Sequence, residues 1–142
     1  PDGVPMRRLM TVEDVADFVA VGGEAYGDYG MPAEEAAYAF DAPERLLDAP
    51  HVVGVVAGDQ DGPLAAALTY AGAGIAGIYW VGVVKRARGR GLGEAVAAAT
   101  TNAGFELGAR FNTLQATPMG LGIYRRMGYR EIYSYAQLVY WA

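Results

Sequence analysis

Arg88-Gly89-Arg90-Gly91-Leu92-Gly93 decides how this chain is read. The segment lies between a Val-rich run, Ile75 to Val84, and a stretch from Gly91 to Leu107 in which Leu92, Val96, Ala99 and Ala103 recur at helical spacing. A strand, a glycine turn and a helix in that order form a place where successive backbone amides and the positive end of a helix can cradle phosphate. Glycine suits the turn because a β-carbon would hold the anion away from the amides. Arg86, Arg88 and Arg90 add positive charge beside it. Two phosphate loops of known grammar do not fit. A dinucleotide fingerprint needs its third glycine at position 94, which is Glu94, and a P-loop needs Lys then Ser/Thr where Glu94-Ala95 stand. A plain Arg/Gly connector with solvated charges remains the ordinary alternative for so short a motif.

Working outward, the strand before the turn is the third of a meander. His51 to Ala57 is Val-rich, Gly58 to Pro63 reads as a turn, Leu64 to Tyr70 returns antiparallel, and Ala71 to Gly74 is a second turn. Ahead of it, Val4 to Met10 reads as a short strand, and Thr11 with Asp14 three residues on resembles a capping box. The helix that follows carries Val12, Val15, Phe18 and Val19 and is expected to end near Gly22 and Gly23. Tyr26 to Met31 reads as a loop, Pro32 opens a second helix, and Pro43 and Pro50 bracket a connector. Beyond the glycine turn's helix come a strand, Arg110 to Ala116, a helix, Thr117 to Met127, and a closing strand, Arg130 to Trp141. Three antiparallel strands followed by a strand-helix-strand crossover predict an α/β sandwich with a mixed sheet.

Composition bounds the function. The chain has 142 residues, 53% hydrophobic, which suits one domain with its own core. A net charge of −5 argues against nucleic acid or an anionic membrane as principal partner, so any cationic site must be local. Without cysteine, and with His51 as the only histidine, neither a disulfide framework nor a thiolate or histidine metal centre can be built. No apolar run reaches the ~20 residues of a membrane span, and no signal peptide is recognisable, so a cytoplasmic protein is expected.

The glycine loop, matched from Arg88 through Gly91 to Gly93, resembles the Arg/Gln-x-x-Gly-x-Gly/Ala pyrophosphate loop of the GNAT superfamily of acyl-CoA-dependent N-acyltransferases. Val81-Gly82-Val83 is similar to the Val-x-Val end of that family's preceding strand. Ile123-Tyr124-Arg125-Arg126-Met127-Gly128-Tyr129 is similar to its Leu-Tyr-x-x-x-Gly-Phe ending. The resemblance implies a mixed, mostly antiparallel sheet splayed at its centre with helices on both faces. It implies acetyl-CoA as acyl donor, and the composition already argues for no metal. Val81 and Val83 would bond the pantetheine arm, and Arg88, Gly89, Arg90, Gly91, Leu92 and Gly93 would hold the pyrophosphate. Tyr124 would be the general acid for the departing thiolate, a phenol being protonated at neutral pH.

The chain departs from the family at the base. Where many members carry a carboxylate, six residues before Val83, this sequence has Gly77. Tyr79 shares the face of Gly77 and Val81 in a regular strand and could hold a water, although a phenol is a poor base. Glu24 and Asp28, near the first inter-helical loop that borders the acceptor cleft in similar proteins, are conceivable substitutes. Tyr26, Asp28, Tyr29 and Tyr79 are the candidate cleft residues, for a small-molecule or peptide amine. His51 reads as a surface or capping residue, and Asp59 to Gly62 as a hairpin turn. The apolar residues Tyr133 to Trp141 suggest a covered strand, with a homodimer as one way to cover it. The alternative from another class is an acyl-CoA-binding sensor that has lost catalysis, and its direct support is Gly77.

Overall fold

The first helix starts where Thr11 and Asp14 place it: the Thr11 hydroxyl accepts from the Asp14 amide at 3.1 Å, and Asp14 Oδ2 accepts from the Thr11 amide at 3.0 Å. In a computed structural model, which describes residues 3–136 and 138, the elements run as follows. They are β1 (Met6–Arg8), α1 (Val12–Gly27), α2 (Ala33–Ala39), α3 (Pro43–Leu47), β2 (Val52–Asp59), β3 (Gly62–Gly72), β4 (Ile75–Val83), α4 (Leu92–Glu106), β5 (Phe111–Leu114) and α5 (Leu121–Arg126). The five strands form one sheet in sequence order, antiparallel from β1 to β4 and parallel between β4 and β5.

Helices cover both faces. A β-carbon on Gly82 would lie 2.9 Å from Ala25 of α1, whereas one on Gly93 of α4 would lie 3.3 Å from Val83. Neighbouring residues of β4 therefore meet α1 on one side and α4 on the other, as strand alternation requires. Phe18, Val21, Leu64, Val56, Leu92 and Val96 are fully buried between these layers. Among the described residues, no helix is long and apolar enough to cross a membrane.

Three expectations are corrected. α1 does not stop at Gly22 and Gly23 but runs to Gly27, so Tyr26 is helical. The reason is tertiary: a β-carbon on Gly22 would press the Trp80 ring at 3.2 Å, so the glycine serves a close approach rather than a helix end. The last helix begins at Leu121, because Thr117 to Gly120 form a separate turn in which the Gly120 and Leu121 amides both donate to the Thr117 carbonyl at 3.0 Å. Residues 130–136 and 138 form no strand, and Ile132, Tyr133, Tyr135 and Leu138 are exposed. Val139, Tyr140 and Trp141 lie outside the described residues.

Candidate active site

β4 organises the site. Its first half pairs with β5, from Ile75 opposite Phe111 to Ile78 opposite Leu114, and there β5 ends while β4 continues to Val83. From Tyr79 onward the strand has no partner on that side among the described residues, which is the central splay expected of this sheet. The pairing with β3 slips within the same stretch. Tyr79 faces Leu68 and Gly82 faces Ala66, so β4 spends three steps against two and bulges. Trp80 takes up the extra residue at φ 54°, a backbone state that bulky side chains rarely adopt. Packing holds it there: its ring centroid is 5.0 Å from Tyr26 and 5.2 Å from Phe40, edge-on to the latter, and Gly22 lies beneath. A strained backbone at such a point is an observation from which function can be argued. The bulge also corrects the expected face-sharing, since Tyr79 covers Gly77 while Val81, two residues before Val83, falls on the α4 side.

The unpaired edge of β4 leads to the start of α4. Lys85–Ala87 make one 3₁₀ turn, Arg88 is extended, and Gly89 and Gly91 both stand at φ 76° with open space where a β-carbon would be. Gly91 is the left-handed N-cap of α4, and the Ala95 amide is the one that reaches back to its carbonyl, at 3.1 Å. The amides of Leu92, Gly93 and Glu94 therefore lack helical partners and carry the positive end of the helix dipole. Gly93 differs from the other two glycines. Its close approach to Val83 and Ile123 packs α4 against β4 and α5.

The arginines divide in their attachments. Arg88 donates from Nε to the Val83 carbonyl at 3.3 Å and pairs with Asp28 at 2.7 Å, and Lys85 meets the same carboxylate at 3.0 Å. The Lys85 amide donates to Glu24 Oε1 at 2.7 Å. The C-terminal end of α1 is thus tied to the loop. Hydrogen bonds from Lys85 and Arg88 hold the Asp28 carboxyl below the usual range, and both pairings engage it in tying α1 to the loop. Arg86 is turned away to the carbonyls of Asp61 and Pro63. Arg90 is exposed and forms no ion pair among the described residues.

Tyr124 projects from α5, whose end is fixed by Gly128 at φ 92°. The Gly128 amide bonds the Arg125 carbonyl at 3.1 Å and the Tyr129 amide bonds the Tyr124 carbonyl at 3.0 Å, the paired bonds of a Schellman cap. The Tyr124 ring is buried, packs edge-on to Tyr129 at 6.0 Å, and leaves its hydroxyl without a hydrogen-bond partner among the described residues. Burial, reinforced by Tyr129 and Tyr29, pushes the phenol up to about 12. Tyr26, also raised to about 12 by burial first and then by Tyr124 and Tyr29, belongs to the same cluster. Tyr29 lies 6.2 Å from Tyr26 and donates to the Thr117 hydroxyl at 3.3 Å. Three residues chosen from sequence, Tyr26, Tyr29 and Tyr124, therefore come together, and Trp80 joins them through Tyr26.

Tyr79 stands apart from that cluster. Its half-exposed ring lies on the bare backbone of Gly77 and lines a cleft of about 690 Å³ between the α2–α3 region and the sheet, shared with Trp80, Tyr70 and His51. His51 is exposed, as read from sequence, and stacks edge-on against Tyr70 at 4.6 Å at the rim of that cleft. No sequence signal marked it, because the contact joins the lead-in to β2 with the end of β3.

No family model matches the chain, and no curated protein matches it in sequence. Solved structures do match. A candidate acetyltransferase from Pyrococcus horikoshii superposes with TM-score 0.79 at 23% identity over 94% of this chain, which spans 45%, about half, of that protein. A GCN5-related N-acetyltransferase from Ralstonia eutropha gives TM-score 0.73 at 23% identity, covering 96% of this chain and 99% of that one. AAC(6')-Iy, solved with a bisubstrate analogue joining CoA to an acetylneamine, gives 0.76 at 15% identity, covering 99% and 100%. Together with the splayed β4–β5 pair and the glycine loop at α4, these likenesses establish that the chain has the fold of the GCN5-related N-acetyltransferases.

Proposed function

We propose that this chain is a GNAT-superfamily enzyme that transfers an acetyl group from acetyl-CoA to an amine. One observation carries the reading: the unpaired edge of β4 runs directly into free, glycine-exposed amides at the start of α4. A ligand that fills both must offer strand-like amides at one end and a pyrophosphate at the other, and an acyl-CoA has both. The likeness to AAC(6')-Iy, held with a CoA-linked analogue, supports the same donor.

In this reading Val81 and Val83 line the pantetheine arm, with the bulged backbone at Trp80 and Val81 offering an amide to the thioester oxygen. Arg88, Gly89, Arg90, Gly91, Leu92 and Gly93 hold the pyrophosphate. The amine nitrogen forms a bond to the carbonyl carbon as the carbon–sulfur bond breaks, and it sheds one proton while the sulfur gains one. Tyr124 stands on the sulfur's side of that exchange. Transfer from a phenol near 12 to a thiolate of ordinary pKa about 8.5 is uphill by about 5 kcal/mol. The hydroxyl therefore hydrogen-bonds the leaving sulfur throughout cleavage and gives up its proton only as the amine's proton replaces it. The setting is cytoplasmic and the acceptor is a small molecule or peptide amine. The exposed Ile132, Tyr133, Tyr135 and Leu138, with an outer edge of β5 that is unpaired among the described residues, support a homodimer.

The test is release of CoA thiol against a panel of primary amines, run beside thermal shift with acetyl-CoA. Turnover on any amine supports the enzyme. Stabilisation by acetyl-CoA without turnover on any amine favours the acyl-CoA-binding sensor, a reading that the missing carboxylate at Gly77 keeps in view.

A further inference from the structure

We infer that the cleft beside β4 receives the acceptor, and that the acceptor is a monoamine carried on a planar apolar body, of arylalkylamine type. The inference rests on the acyl-transfer reading and adds the substrate class. The cleft's volume of about 690 Å³ is in the range of small-molecule sites. Five of its thirteen lining residues, Phe40, His51, Tyr70, Tyr79 and Trp80, present aromatic rings, and most of the others are aliphatic. Rings at such spacings accept a further ring edge-on or offset and gain from burying it. Trp80 links the cleft to the chemistry, because its side chain lines the cleft while its peptide forms the β4 bulge.

Charge decides against a polycation. The cleft's ionic groups are one carboxylate, Asp41, and one guanidinium, Arg45, and neither enters an ion pair among the described residues. A single ammonium finds one counter-charge in Asp41. A polyamine or amino sugar of several positive charges would have to share that one carboxylate among all of them beside a like charge, Arg45.

Gly77 gives the departure from the family pattern a positive meaning. A β-carbon there would fall 2.6 Å from the Tyr79 hydroxyl and nearer still to its ring. A carboxylate side chain at position 77 and the Tyr79 wall therefore exclude one another. This chain has the wall, so the glycine shapes the acceptor site instead of supplying a base.

The experiment reads amine binding without acetylation. The sequence has two tryptophans, so Trp141→Phe leaves Trp80 as the reporter. Phenylethylamine should quench or shift Trp80 emission at least tenfold more tightly than spermidine or neamine, with acetyl-CoA absent. In that background Gly77→Ala should displace Tyr79 and weaken phenylethylamine at least tenfold, with acetyl-CoA affinity by calorimetry unchanged. Tyr70→Ala, at a half-exposed position, should do the same if Gly77→Ala fails to fold. Tighter binding of the polycations, or arylalkylamine affinity indifferent to both substitutions, overturns the inference. Arylalkylamine binding in the cleft with no CoA release would uphold the cleft and overturn acyl transfer instead.

Discussion

Replacing Asp14 by Asn should cost this fold about 2.4 kcal/mol at pH 7 and less in acid. Asp14 is nearly buried, yet its carboxylate takes the Arg7 Nε at 2.6 Å and the amides of Met10 and Thr11 at 3.0 Å each. Burial alone would raise its pKa, but the Arg7 guanidinium and the two amides outweigh it and bring the carboxyl from 3.8 to about 2. A group depressed in the folded state contributes fully above its unfolded pKa and loses that contribution as pH falls through the folded value. At about 1.4 kcal/mol per pH unit, the two pKa values correspond to about 2.4 kcal/mol at pH 7 and about 1.3 kcal/mol at pH 3. Asn keeps the shape and one acceptor oxygen but not the charge. Urea unfolding of both proteins at pH 7 and pH 3 measures the difference; with m about 1.5 kcal/mol per M, the midpoint should fall by about 1.6 M at pH 7. Because Asp14 fixes the start of the helix whose far end packs on Trp80, the loss should be global and two-state. A loss that is the same at both pH values, or absent at pH 7, refutes the electrostatic reasoning.

Tyr124→Phe should lower kcat about 10²-fold while acetyl-CoA affinity and Tm move little, because one hydroxyl is removed and the ring's packing kept; near wild-type turnover with chemistry rate-limiting would free the hydroxyl from any role. Asp28→Asn should release Arg88 and Lys85 toward the phosphates and tighten acetyl-CoA about threefold at low salt, the gain disappearing near 0.5 M salt. Weaker binding in that variant would mean that the carboxylate acts by holding the loop in shape. If the exposed apolar residues from Ile132 to Leu138 are covered by a second copy, sedimentation at micromolar concentration should show a dimer, and a clean monomer would contradict this.

What was legible in the sequence is what local physics decides. Thr11 and Asp14 mark a helix start because both bonds of the capping box close within one turn. Gly91 and Gly128 mark a helix start and end because a left-handed backbone costs every other residue more. The same rule misled at Gly22, where the glycine answers to Trp80, a residue far away in the chain. Trp80 itself carries no local sign of its bulge, since nothing about a tryptophan announces a positive φ. Of the site, Tyr26, Tyr29 and Tyr124 were identified and are assembled by the fold, while the His51–Tyr70 wall and the Gly77–Tyr79 exchange depend on pairing across three strands. The closing strand was read from apolar content alone, and residues 130–136 and 138 have no ladder partner among the described residues, which content cannot supply.

Calorimetric titration of acetyl-CoA into the wild-type protein and into Gly91→Asp tests the central claim most directly. Gly91 stands at φ 76° before three free amides, those of Leu92, Gly93 and Glu94, with open space around it. An aspartate there would meet both backbone strain and like-charge opposition to the pyrophosphate. The account predicts saturable binding to the wild type and at least tenfold weaker binding, ~1.4 kcal/mol, to the folded variant. Equal affinity in the two proteins, or no heat with the wild type at millimolar acetyl-CoA, would contradict it.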